Sequence, residues 1–76
     1  MYYLTVYETI TDKIIEDIIL NSLDEAIIAY LKRIYKPDEL DYKFAKENLA
    51  MNNCSICNHF WNDEHTNKYY IEVGLI

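Results

Sequence analysis

The sequence predicts an α+β domain of order ββααββ, an antiparallel sheet with two helices packed on one face. Three observations predict it. Both ends of the chain hold runs of aromatic and β-branched residues that alternate with period two. Between them, Ser22-Leu23-Asp24-Glu25 is a helix-start signal followed by an apolar stripe at helical spacing. Pro37 then separates that stripe from a second stretch of strong helix formers.

Each element has its own local reason. In residues 2–9, Tyr2, Leu4 and Val6 alternate with Tyr3, Thr5 and Tyr7, the pattern of a half-buried strand. Residues 10–12 read as a turn. In residues 13–20, Ile14, Ile15, Ile18 and Ile19 fit a helical stripe as well as a strand. The strand is favoured because a helix begins immediately afterwards and the first strand needs a partner for its backbone groups. In the first helix, over 22–35, the Ser22 hydroxyl is placed to accept from the Glu25 N–H. The Glu25 carboxylate is placed to accept from the Ser22 N–H. Leu23, Ala26, Ile27, Tyr30, Leu31 and Ile34 form its inner stripe, and Lys32, Arg33 and Lys36 suit the negative end of its dipole. The second helix, over 37–51, takes Pro37 in its first turn and turns Leu40, Phe44, Ala45 and Leu49 inward. Asn52 and Asn53 stop it. Two strands, over 55–61 and 68–75, flank the turn "NDEHTN". Phe60 or Trp61 is expected to anchor the core.

Seventy-six residues suffice for one domain, residues 1–76, with no room for a second core. A domain of this size buries only about 60% of the surface of its unfolded chain, so good packing or a partner is needed. Apolar residues at 51% of the chain argue against disorder. "MYYLTVYE" has no basic n-region and meets Glu8 at once, so it does not read as a signal peptide. No apolar run reaches the roughly 18 to 20 residues of a membrane span. The expected location is a reducing cytoplasm, that of a host cell.

The net charge of −6 is unevenly spread. Residues 1–25 carry Glu8, Asp12, Glu16, Asp17, Asp24 and Glu25 against Lys13 alone, a balance of −5. Residues 26–50 balance at +1 and residues 51–76 at −2. An acidic surface of this kind repels nucleic acid and anionic membranes and attracts a basic protein surface. It also serves solubility, for which small domains carry net charges of about 2 to 8.

Residues 52–70, "NNCSICNHFWNDEHTNKYY", hold Cys54, Cys57, His59 and His65 in the array C-x2-C-x-H-x5-H. Four such ligands match a structural zinc site in number. The spacing is not that of a finger or ribbon, and no glycine lies nearby for the usual tight turn. In an extended strand Cys57, His59 and Trp61 share one face and a strand position at Cys54 points away. A metal site therefore requires a turn at 53–56. Buried thiols and hairpin histidines account for the same residues, and no cofactor is expected. A redox C-x-x-C needs its first cysteine at a helix N-terminus, whereas Cys54 follows a helix. Cys57, His59 and Glu72 could neighbour one another across a ladder, but a chain this short offers little substrate cleft. The chain is expected not to be an enzyme.

Eight tyrosines are the strongest compositional anomaly. In each terminal strand they fall on both faces, so some rings lie outside a single-sided core. Tyrosine suits interfaces, burying large area at low entropic cost, and also serves as a half-buried sheet cover. Stacking on single-stranded nucleic acid fails on charge.

Two readings of different class follow. In the first, Tyr3 and Tyr7 anchor, and Glu8, Asp12, Glu16, Asp17, Asp24 and Glu25 steer, a non-catalytic interaction with a basic protein. That partner handles nucleic acid, and the chain itself contacts neither nucleic acid nor membrane. In the second, zinc held by Cys54, Cys57, His59 and His65 stabilises a small structural protein. A homo-oligomer through the sheet edges or the tyrosine face is compatible with both. In size, acidity, richness in Ile, Asn, Lys and Tyr and lack of a catalytic motif, the chain resembles small early proteins of phages that infect low-GC bacteria. Many of those resemble inhibitors of host defence nucleases, including anti-CRISPR proteins, some of which mimic DNA. The resemblance implies an inhibitor that occupies a groove meant for phosphates, and it assigns no residue.

Overall fold

The computed structural model describes residues 1–34, 36–50, 55–60 and 69–76, with 55–60 as backbone. The element order is β1 (Tyr2–Glu8), β2 (Ile14–Leu20), α1 (Leu23–Leu31), α2 (Glu39–Ala50), β3 (Ser55–Phe60) and β4 (Tyr69–Leu75). This is the predicted ββααββ order. The sheet is antiparallel throughout and runs β2-β1-β4-β3, so the two outermost sequence elements form its centre. Of residues 13–20, Ile14–Leu20 resolve as strand, pairing Leu4 with Ile18 and Val6 with Glu16. Because Tyr7 pairs with Ile14, Ile15 is the extra residue of a bulge.

One face of the sheet and the inner faces of both helices form the core. Leu4, Val6, Ile71 and Val73 come from the central strands, Ala26, Ile27, Ala29 and Tyr30 from α1, and Ala45 and Leu49 from α2. Tyr2, Leu20, Leu23 and Tyr69 pack at its margin.

The helices are shorter than their periodicity predicts. The first ends at Leu31 instead of 35. The Lys32 N–H donates to Ile28 O at 3.0 Å and the Arg33 N–H to Tyr30 O at 3.1 Å, tightening the last turn. The proline after Lys36 disfavours the right-handed helical region there, and Lys36 sits at φ 46°. The second helix begins at Glu39, with Pro37 outside it. Asp38 and Asp41 cap it reciprocally, each carboxylate accepting the other's backbone N–H at 3.0 Å. The bond from the Asp41 N–H, foremost, holds the Asp38 carboxyl below its ordinary pKa.

Two further expectations are corrected. The Ser22 hydroxyl does accept from the Glu25 N–H at 3.2 Å, but the Glu25 carboxylate accepts from Asn21 N–H, one residue earlier than expected. Leu40 and Phe44 do not face inward; they are 75% and 48% exposed. Of the four residues expected to face inward, Ala45 and Leu49 do reach the core, and Ala29 of α1 is buried although the predicted stripe omitted it. The helix stop at Asn52 and Asn53, the turn "NDEHTN", the side chain of Phe60 and Trp61 lie outside the described residues.

Candidate binding face

The alternation of β1 that sends Leu4 and Val6 into the core sends Tyr3, Thr5 and Tyr7 to the other side of the sheet. No described helix lies on that side. Register then decides what these residues meet. Tyr7 pairs with Tyr70 of β4, and their rings stack with centroids 4.8 Å apart and planes 16° from parallel. Thr5 is flanked by Asp17 and Glu72. Its hydroxyl donates to Asp17 Oδ1 at 3.2 Å, and the Tyr3 hydroxyl donates diagonally to Glu72 Oε1 at 2.7 Å.

The β1–β2 turn extends this surface. The Glu8 N–H donates to Lys13 O at 2.8 Å and the Asp12 N–H to Glu8 O at 2.9 Å. Asp12 takes a left-handed conformation, φ 57°, which a short polar side chain tolerates. Its carboxylate accepts the Tyr70 hydroxyl at 3.2 Å, and the Glu8 carboxylate accepts the Thr11 hydroxyl at 3.0 Å. The result is a patch of aromatic rings and hydroxyls that donate into carboxylates.

The structure divides the eight predicted contact residues. Tyr3, Tyr7, Asp12 and Asp17 come together on this face, and Glu8 lies beside them at the hairpin turn. Glu16 is on the helix side, where Arg33 Nε donates to its Oε1 at 2.7 Å and Nη2 to its Oε2 at 2.8 Å. Hydrogen bonding from Arg33 holds the Glu16 carboxyl below its ordinary pKa. Its charge is thus matched within the chain. Asp24 and Glu25 open α1 at the end of β2, a strand length of roughly 20 Å from the hairpin turn. Glu72, Tyr70 and Thr5 belong to the face but are not among the predicted contacts. Their period-two positions are readable in the sequence, and the β1–β4 register that brings them beside Tyr3 and Tyr7 is not.

Charge is segregated in the same way. The four strands contain Glu8, Glu16, Asp17 and Glu72 but no lysine or arginine. Lys32 and Arg33 follow α1, and Lys43 and Lys46 lie on α2.

Cys54 and His65, two of the four candidate zinc ligands, lie outside the described residues. Cys57 and His59 lie on β3, paired with Glu72 and Tyr70. Ser55 and Ile56 are strand residues, so the turn that a metal site requires would have to end before Ser55. Among the described residues no group of three or more His, Cys, Asp or Glu could hold a metal ion. No described helix is long and apolar enough to cross a membrane. Comparison with family models, with curated proteins and with solved structures finds no match.

Proposed function

We propose that the chain is a small non-catalytic binding protein whose helix-free sheet face engages a basic surface on another protein. The observation that carries this reading is the composition of that face. Tyr3, Tyr7 and Tyr70 supply area with few rotatable bonds, while Asp12, Asp17 and Glu72 supply charge on strands and a turn held in fixed register. Each of these carboxylates accepts a neighbouring hydroxyl, which orients it, and retains lone pairs for an incoming lysine or arginine. A protein groove that binds phosphates is the basic surface most suited to such an array. The resemblance to small phage inhibitors of host defence nucleases, anti-CRISPR proteins among them, points to the same class of partner inside a host cell.

The test is capture from a bacterial lysate on immobilised chain, with the captured proteins identified and challenged by salt and by duplex DNA. The expected result is retention of nucleic-acid-handling proteins, released by raised salt and by added DNA, and lost with the double substitution Asp12→Asn and Asp17→Asn. Capture that is insensitive to salt, or unchanged in the neutralised variant, would falsify the reading.

A further inference from the structure

Among the described residues the second strand is an edge of the sheet, paired on one side only, with β1. Sheet edges are usually guarded by lysine, proline or inward charge. Here Ile14, Ile15 and Ile19 are 53%, 51% and 55% exposed, and the strand has neither lysine nor proline. Of its two acids, Glu16 is bound to Arg33 of the same chain. The bulge at Ile15 disrupts only the first residues, leaving Glu16 to Leu20 regular. Beside this edge, between β2 and α1, runs an open groove of about 340 Å³. Its middle is apolar, formed by Ile18, Leu20, Ile28 and Ala29, and Ile28 is 52% exposed. Glu25, in the first turn of α1, lines it toward one end, and Lys32 and Arg33, just after α1, line it toward the other, with Arg33 held by Glu16.

A strip that is apolar in the middle, acidic at one end and basic at the other is complementary to itself turned through 180°. That is the requirement of an isologous two-fold contact. We infer that the chain forms a homodimer by antiparallel pairing of β2 with β2 of a second copy, with Glu25 of each α1 facing Lys32 of the other. This inference does not depend on what the helix-free face binds.

The register follows from charge and length. Antiparallel pairing about a two-fold axis normal to the sheet keeps each side chain on its own face, so a residue must sit on the axis. Centring on Glu16 or Asp17 would set like charges directly opposite, which is destabilising. Centring on Ile19 would pair only residues 18–20 within the strand. Centring on Ile18 pairs residues 16–20, setting Glu16 opposite Leu20 and Asp17 opposite Ile19. The helix agrees with this choice. Ile18 lies two residues, about 7 Å, back from the end of β2, and Ile28 lies five residues, about 7.5 Å, into α1. Ile18 and Ile28 line the same groove, and Ile28 stands midway along α1 between Glu25 and Lys32. The dimer has one continuous eight-stranded sheet, twice the four strands of each copy, with both helix-free faces on the same side.

Sedimentation equilibrium over a dilution series tests this directly. The wild-type chain is expected to show twice the chain mass and to dissociate on dilution. Ile28→Asp alters an exposed helix position outside the core and is expected to give a monomer that still melts cooperatively by circular dichroism. Lys32→Glu and Glu25→Lys, each alone, set like charges against each other and are expected to weaken the dimer by about tenfold or more. Mixing those two variants restores opposite charges at both ends, so a heterodimer of near wild-type affinity is expected. A chain that keeps its single mass at every concentration overturns the proposal. So does a dimer that survives Ile28→Asp, or a mixture no tighter than its components.

Discussion

The two faces of this sheet are built from alternate residues of the same strands, yet different physics holds each one. On the helix side Leu4 and Val6 meet Val73 and Ile71 across β4, and the exposures of Leu4 and Ile71 are both 0%. Stabilisation there scales with apolar area removed from water and with tight packing. On the other side Tyr3, Thr5 and Tyr7 meet Glu72, Asp17 and Tyr70 through directional contacts: two hydroxyl-to-carboxylate bonds and one ring stack. Such contacts contribute roughly 0.5 to 1.5 kcal/mol each and leave charge near the surface. The difference sets apolar burial on the helix side against directional polar contacts on the other, the side proposed above for recognition.

The largest effects are expected where that division is attacked from the core. Leu4→Ala and Ile71→Ala should each lower the free energy of unfolding by about 2 to 5 kcal/mol, because both side chains are fully enclosed. Urea denaturation checks this, and a loss below 1 kcal/mol (the cost expected of a peripheral site) would mean that the helices do not seal this face. A smaller effect is expected from the stacked pair across the sheet. A double-mutant cycle with Tyr7→Ala and Tyr70→Ala should return a coupling of about 0.5 to 1.5 kcal/mol. A coupling near zero would show the rings to be independent covers instead of one assembled unit.

Features set within a few residues were legible in the sequence, and those set across the chain were not. The strand alternation, the Ser22 cap and the break at Pro37 each depend on near neighbours, so the element order follows from them. The isoleucine-rich segment at 13–20 was ambiguous for a physical reason. Here β2 carries isoleucine on both faces, Ile18 opposite core Leu4 and Ile19 opposite Tyr3, and so lacks the clean alternation of β1. Leu40 and Phe44 were misplaced because helical periodicity permits two apolar stripes on α2, and small Ala45 with Leu49 wins the inward side. The division of the acidic residues was hidden as well. Glu16 and Arg33 are 17 positions apart, and only the packing of α1 over β2 brings them together. The cysteine and histidine array rests on Cys54 and His65, which lie outside the described residues.

That ion pair gives the next effect in size, and it carries a sign in pH. Glu16 has its pKa lowered in the fold by hydrogen bonding from Arg33. Its stabilising contribution is therefore complete above the ordinary glutamate pKa of about 4.3 and is lost as pH falls through the lowered folded value. The Glu16 side chain is 41% exposed, so solvent screening limits the pair to roughly 0.5 to 1 kcal/mol. Urea titrations of wild type and Glu16→Gln should differ by that amount at neutral pH and converge in acid. A gap that persists unchanged at low pH would assign the difference to packing instead of charge.

The smallest effect on stability is expected at the residue most useful for separating the two faces. Asp17 is exposed on the edge strand and accepts one bond, from the Thr5 hydroxyl. Asp17→Asn keeps an oxygen acceptor of the same shape and removes the charge, so unfolding should shift by no more than about 0.5 kcal/mol. Affinity for a basic partner should nonetheless fall, and its dependence on salt should become shallower, because one charge has left the steering field. A substitution silent in unfolding and visible in binding is the signature of a recognition face. If Asp17→Asn instead lowered stability by as much as a core truncation, the free side of the sheet would be structural, and the division between the two faces would collapse.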